Sequence, residues 1–179
     1  LNFDKRSILL REYPPYYDYS LSPENEYMSG VENLEQKPYR VRTDENGFIV
    51  GPNKSKVNNA VDVIFFGGST TECRYVDENL RFPFVVGELL IDEVTGKNIH
   101  CLNAGVSGNN SMHSTFNLLS KGINLKPKIV VLMHNINDLI MLLNTGSYWV
   151  GPESKIIVQN KKEKKSFRER HDDENAILY

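Results

Sequence analysis

Residues Val61–Cys73 have the sequence VDVIFFGGSTTEC, and this stretch decides the predicted fold. The apolar run at 61–66 is too continuous for a strand with one solvated face, so it predicts a strand buried on both faces, as in a parallel sheet. Gly67 and Gly68 allow a sharp turn after this strand. Ser69 would then lie at its carboxyl end, where a tight turn can hold a nucleophile beside free backbone N–H groups and the positive end of a helix dipole. The alternative interpretation is that Ser69 only caps a helix.

The order of strand, loop and helix recurs along the chain after this first strand. Pro83 suits the first turn of a helix, and Gly96 suits the position just past its end. Alternating strands and helices predict an α/β fold with a parallel sheet and right-handed crossovers. We predict strands at 61–66, about 99–102 and 129–133, all buried, and helices at about 82–94, 111–119 and 139–143.

Three loops follow the three predicted strands, and they contain Gly67–Ser69, Asn103–Gly108 and His134–Asp138. The carboxyl ends of parallel strands meet at one edge of an open α/β sheet, where ligands bind. The loops are rich in Gly, Asn, Ser and His, which supply close backbone approach and polar groups. The sequence therefore predicts a functional site at this edge.

The regions on either side of the core have a different composition. We predict an N-terminal arm and β-hairpin at 1–59, the α/β core at 60–150 and a charged loop or tail at 151–179, with a short strand at 154–159. Asn46-Gly47 marks the hairpin turn. The first 34 residues are expected to be irregular. Their tyrosine-rich patch, Tyr13–Tyr19, is either a packed surface arm or a platform for a carbohydrate or a partner.

Length and composition exclude several classes of protein. The 179 residues suffice for one domain with extensions, and a net charge of −2 gives no indication of a nucleic-acid partner. Two cysteines, Cys73 and Cys101, are too few for a disulfide scaffold, and two buried thiols are expected. No apolar run approaches the roughly 18 residues of a membrane span.

Taken together, the three loops resemble the conserved blocks of the SGNH (GDSL-type) hydrolases. The family comprises serine esterases and acylhydrolases on a flavodoxin-like, three-layer α/β/α sandwich. Gly67-Gly68-Ser69 is similar to the family's Gly-Asp-Ser block, in the form found in a GGST-containing subgroup. Asn103–Gly108 resembles the second block, and Asn135-Ile136-Asn137-Asp138 resembles the third, Gly-x-Asn-Asp, with Asn135 in the place of the glycine. The resemblance covers about residues 39–145.

The resemblance implies roles for individual residues. Ser69 would be the nucleophile, and its own N–H, the N–H of Gly108 and the side-chain amide of Asn137 would bind the oxyanion. Apart from the resemblance, Gly108 could be a simple turn glycine and Asn137 a helix N-cap. His113 and His134, near the second and third loops, are candidate substrate contacts. No metal or cofactor is implied.

The catalytic base of the family comes from a fourth block, Asp-x-x-His, and no Asp of this chain has a His three residues later. Three explanations remain open. The chain ends before that block, which we favour, or another chain supplies the base, or the domain binds without cleaving. In the first case the sheet would lack its last strands, and its exposed edge would favour association into a homo-oligomer.

The resemblance implies a hydrolase that acts on an acyl or O-acetyl ester of a carbohydrate or a lipid. Its partner would be a small-molecule or polymeric ester, with no nucleic acid involved. The family often works outside the cytoplasm, which suggests the cell envelope or beyond. Two alternatives of the same fold are a non-catalytic glycan- or acyl-binding module and an acyltransferase.

Overall fold

The structure is a computed structural model that describes residues 6–52, 61–149 and 158–160. A π-helical turn, Leu118–Gly122, and a 3₁₀ turn, Ile123–Leu125, continue the helix Ser111–Asn117. The strands are β1 (Arg6–Ile8), β2 (Asp18–Leu21), β3 (Tyr39–Arg42), β4 (Val63–Gly67), β5 (Cys101–Gly105), β6 (Ile129–Met133) and β7 (Val158–Asn160). The helices are α1 (Asn25–Gly30), α2 (Ser69–Glu72), α3 (Phe82–Leu89), α4 (Ser111–Asn117) and α5 (Ile136–Thr145).

A three-stranded parallel sheet forms the centre of the fold, with the strand order β5-β4-β6. Gly67 at the end of β4 is in register with Gly105 on β5 and with Met133 on β6. The three strands therefore end side by side, which confirms the predicted α/β class. Two antiparallel pairs, β2–β3 and β1–β7, complete the described strands.

The strand β4 is buried along its whole length, as its continuous apolar sequence predicts. Ile64 and Phe66 are fully buried in the main core, where Phe48 crosses Phe66 edge to face. The prediction of a third buried strand is wrong, although its bounds are correct. Ile129 and Leu132 on β6 are 56% and 52% exposed, because no described segment covers this strand.

The predicted turn at Asn46-Gly47 is present, and the side chain of Asp44 holds it. Its Oδ1 accepts hydrogen bonds from the N–H groups of Asn46 and Phe48 at 2.8 and 2.9 Å, and Gly47 has a φ of 77°. The predicted hairpin is present in a short form, in which Thr43 bridges Ile49 antiparallel and the N–H groups of Asp44 and Val50 donate to the carbonyls of Phe48 and Arg42 at 2.9 and 3.0 Å. The strand β3 also pairs with β2 of the N-terminal arm. Beyond the turn Ile49 makes single bridges, one of them to β5.

Several predicted boundaries are wrong. The helix α3 ends at Leu89 rather than 94, because Asp92 accepts hydrogen bonds from Val94 and Thr95 and closes a separate turn. The strand β5 runs on to Gly105, so the second loop starts later than predicted, and α5 starts three residues earlier. The arm is not irregular, since it contains β2 and α1. The strand predicted at 154–159 overlaps β7, and residues 154–157 lie outside the described residues.

None of the helices in the described ranges is long and apolar enough to cross a lipid bilayer.

Candidate functional site

Ser69 lies on the surface at the point where β4 turns into α2. Its side chain is exposed, and the hydroxyl has no hydrogen bond to any described residue. The backbone carbonyl of Gly68 accepts the N–H groups of Thr71 and Glu72 at 3.0 Å, which fixes the turn. The sequence predicts that the positive end of a helix dipole lies beside Ser69. Because α2 has only four residues, this dipole contributes little to the electrostatics at Ser69.

The side-chain amide of Asn137, in the first turn of α5 after the third strand, reaches the turn before Ser69. Its Nδ2 donates a hydrogen bond of 2.8 Å to the backbone carbonyl of Asn109 in the second loop. A Cβ atom on Gly68 would lie 2.6 Å from this Nδ2 and 3.3 Å from the Asn109 carbonyl. The absence of a side chain at residue 68 therefore leaves room for the amide. All three loops meet at this point.

Gly108 occupies the second loop with a φ of 80°, a value that favours glycine. The guanidinium of Arg11, from the N-terminal arm, packs over it. Its Nη2 lies 3.0 Å from the position that a Cβ of Gly108 would take, and its Nε donates to the carbonyl of Ser107 at 2.8 Å. The backbone of Arg11 is fixed as well, because its carbonyl accepts amide N–H groups from Asn109 and Asn117. The arm therefore supports the second loop.

A buried carboxylate, Glu72, lies behind Ser69 and joins the first two loops. It is fully buried, and its Oε2 accepts the Ser107 N–H at 2.7 Å and the Ser107 hydroxyl. The hydroxyl of Tyr13 donates to Oε1, and the Nε of Arg74 does so at 3.1 Å. Burial, followed by the neighbouring Glu72, raises the pKa of Tyr13 well above its usual value.

Little in the sequence indicates this network. Glu72 lies in the first turn of α2, where a carboxylate is expected to face solvent and the helix dipole. Its partners Tyr13 and Ser107 come from remote parts of the chain, so only the tertiary structure identifies them. A single clue lay in the sequence, since the carboxylate follows a buried strand by only five residues.

Asp138, next to Asn137, joins the third loop to the start of α4. It accepts a 3.0 Å hydrogen bond from the N–H of Ser111 and one of 2.7 Å from the hydroxyl of Tyr148. Burial raises the pKa of Asp138, but these hydrogen bonds outweigh burial and leave the pKa below its usual value. The carboxylate therefore stays ionised and fixes the helix that carries Asn137.

The two candidate histidines bond to residues other than Ser69. His113 is 2% exposed, and its Nδ1 lies 2.8 Å from the Asn110 side chain in the cap of α4. His134 has Nε2 at 2.8 Å from the Ser114 hydroxyl and Nδ1 at 3.7 Å from Asp138. Their contacts with a substrate stay predictions. In the described ranges no His, Asp or Glu side chain is hydrogen-bonded to Ser69.

The buried His113 makes the stability of the fold depend on pH. Burial is the main cause that lowers the pKa of His113 to about 4, and the charges of Arg11 and His134 lower it further. The ordinary value near 6.5 applies after unfolding, so the unfolded chain binds more protons between these two values. The preference of the folded state for neutral His113 therefore stabilises the fold fully above about pH 6.5. This contribution to the free energy of unfolding is lost as the pH falls towards 4.

We therefore expect the free energy of unfolding to fall by about 2–3 kcal/mol between pH 7 and pH 4 through this one group, at 1.36 kcal/mol per pKa unit. Urea unfolding at a series of pH values measures the slope. The variant His113→Gln should be less stable at pH 7 but should show a flatter dependence. Equal slopes for both chains would show that His113 does not cause the effect.

Comparison of the chain with protein-family models and with curated proteins gave no match. The site is therefore defined by its own geometry and by the three sequence blocks. The geometry brings Asn137 and Asn109 against the turn that carries Ser69, with Gly108 next to Asn109.

Proposed function

We propose that this chain is the core of an SGNH-type serine esterase or acylhydrolase with a flavodoxin-like α/β/α sandwich. Its substrate would be an acyl or O-acetyl ester, most plausibly of a carbohydrate or a lipid. The observation that supports the proposal is the position of Asn137, whose amide nitrogen lies 2.8 Å from the Asn109 carbonyl and directly against Gly68. A neutral donor beside an exposed serine supplies two of the groups that an acyl-transfer site requires.

In the proposed reaction, Ser69 Oγ forms a bond to the acyl carbon while the carbonyl electrons move to oxygen. A base accepts the hydroxyl proton. The resulting oxyanion accepts hydrogen bonds from the N–H groups of Ser69 and Gly108 and from Asn137 Nδ2, each worth about 10²–10³ in rate. Cleavage of the ester C–O bond releases the alcohol, which takes the proton, and water then hydrolyses the acyl-serine.

The proposal needs a proton acceptor from outside the described residues, because none of these is hydrogen-bonded to Ser69. Enzymes of this type that lack a member of the triad retain roughly 10³–10⁴-fold of the acceleration over water. The same observation supports the alternative that the site only binds a glycan or an acylated polymer. External imidazole can distinguish the two functions, since it can replace a missing base.

The test is acetylation by p-nitrophenyl acetate, with and without imidazole, followed by peptide mass mapping. We expect an acetyl group on Ser69, at a rate that rises with imidazole, and its absence at residue 69 in Ser69→Ala. The matched control is Ser20→Ala, which removes an exposed serine from β2 and should be labelled like the wild type. Mapping separates this reaction from the direct hydrolysis of the ester by imidazole.

Ser69→Ala should leave the fold intact, since the hydroxyl is exposed and unbonded within the described residues. A total rate that is at least about tenfold lower in this variant, after subtraction of the buffer rate, would support the esterase. Acetylation confined to lysines or tyrosines, or equal rates in the two chains, would rule it out. The binding module would then be the better explanation.

A further inference from the structure

Of the two edges of the parallel sheet, only the β5 edge is covered by a described segment. At the β5 edge, Ile49 from the turn segment lies alongside and its N–H donates to the Asn103 carbonyl at 2.7 Å. At the β6 edge, no described segment pairs with the strand. The N–H of Ile129 points inward and donates to Asp62 at 2.8 Å, so by alternation Val130 and Leu132 present their N–H and C=O groups outward. Among the described residues these groups have no strand partner, so they form an open pairing edge.

The sequence of β6 has none of the features that normally protect an edge strand. The five residues are Ile, Val, Val, Leu and Met, without a charge, a proline or a bulge. The helix α5 that follows continues the apolar surface. Nine large apolar residues of these two elements are 36–76% exposed: Ile129, Val130, Leu132, Met133, Ile136, Leu139, Ile140, Leu142 and Leu143.

The size of this apolar surface fits a protein–protein interface. An aliphatic side chain of this size has on the order of 100 Å² of accessible apolar surface, so nine that are about half exposed present roughly 400–500 Å². A standard interface buries about 800 Å² per partner, of which roughly 56–65% is apolar. The exposed surface of β6 and α5, which includes both faces of the strand, sets an upper limit close to that apolar share.

The charge of the surface is compatible with an identical partner. Between Ile129 and Thr145 the ionisable side chains are His134 and Asp138, and both are turned to internal partners. Lys128, just before the strand, is held by Asp62 and Asp92. No charge therefore opposes the approach of the same surface. We propose that a second copy of this chain binds here, with β6 pairing antiparallel to its own copy around a two-fold axis.

The positions of the outward groups favour one register, which pairs both outward residues of β6. With the axis at Val131, the outward groups of Val130 face those of the partner's Leu132, and the reciprocal contact gives four backbone hydrogen bonds. Val131 then lies opposite the partner's Val131 in a non-hydrogen-bonded pair, at about 4.5 Å between Cα atoms. Two three-stranded sheets become one sheet of six strands, and the α5 helices lie on the same side of it.

The first test is the mass of the whole chain in solution, by light scattering after size-exclusion chromatography at several concentrations. We expect a dimer for the wild type and a monomer for Leu132→Lys, which places a charge at the pairing edge. The matched control is Leu119→Lys, at an apolar residue of similar exposure away from the sheet edge. It should remain dimeric. A monomeric wild type at every concentration, or equal behaviour of the two variants, would overturn the proposal.

The second test examines the register by oxidation of single cysteine variants. Val131→Cys should form a disulfide-linked dimer, because a separation of about 4.5 Å suits a disulfide. Val130→Cys should not, since its own copy is two positions out of register. The wild type, with free Cys73 and Cys101, gives the baseline. Linkage of both variants to the same extent, or of neither, would overturn the antiparallel pairing.

Discussion

Gly105→Ala is expected to lower the free energy of unfolding by about 3 kcal/mol or more, because the helix after Ser69 rests directly on this glycine. A Cβ at residue 105 would lie 2.4 Å from the backbone nitrogen of Glu72 and 2.6 Å from the carbonyl carbon of Thr71. Both atoms belong to the backbone, so no flexible side chain can move aside. A loss of this size is a large share of the roughly 5–15 kcal/mol by which a domain is stable.

Two further contacts prevent α2 from shifting away. The Asn103 side chain donates to the Thr71 carbonyl at 2.8 Å, and the carbonyl of Gly68 holds the other end of the helix. Relief of the clash would have to separate β5 from the turn that carries Ser69. We therefore expect the site and the fold to be lost together in Gly105→Ala.

Urea unfolding followed by circular dichroism measures the effect, with Gly30→Ala as the matched control. Gly30 ends α1, and a Cβ there would meet nothing within 4 Å. The control should change stability by no more than about 1 kcal/mol. Midpoints that agree between the two variants would contradict the close packing at Gly105.

The parts of the fold that the sequence predicts are those determined by local pattern. The buried strand β4, the strand bounds of β6 and the turn at Asn46-Gly47 follow from apolar runs and turn residues. The exposure of β6 could not be predicted, because an apolar run is the same whether or not another segment covers it. The pairing of β3 with β2 also depends on a partner about 20 residues away.

For the site, the sequence identifies the loops but not the contacts that hold them. Ser69, Gly108 and Asn137 follow from the three blocks, and the structure brings their loops together through Asn109. Their supports, Arg11 and Glu72, could not be found, since side-chain contacts over such distances in sequence have no local pattern.

Removal of the Glu72 carboxylate should lower the free energy of unfolding by an amount comparable to the effect of Gly105→Ala. The carboxylate accepts hydrogen bonds from Tyr13, Arg74 and Ser107 while fully buried. Glu72→Ala would leave these donors without an acceptor in the interior and Arg74 without its partner. Removal of one partner from such a buried ionic group typically costs about 3–5 kcal/mol.

The measurement is again the free energy of unfolding from urea titrations. The matched control is Glu35→Ala, which removes an exposed carboxylate that pairs with Lys37 on the surface. Such a pair contributes about 0–1 kcal/mol, so the control should be close to the wild type. Equal stability of Glu72→Ala and Glu35→Ala would mean that the buried carboxylate contributes no more than a solvated one.

A double-mutant cycle with Tyr13→Phe separates the loss of the network from a simple cavity. Tyr13→Phe removes one donor to Glu72 and keeps the ring, so alone it should cost about 1–2 kcal/mol. In the Glu72→Ala background the same change should cost less, because the hydroxyl has already lost its acceptor. Additive effects would show that Tyr13 and Glu72 act independently. The N-terminal arm and the turn that carries Ser69 would then not be coupled through this carboxylate.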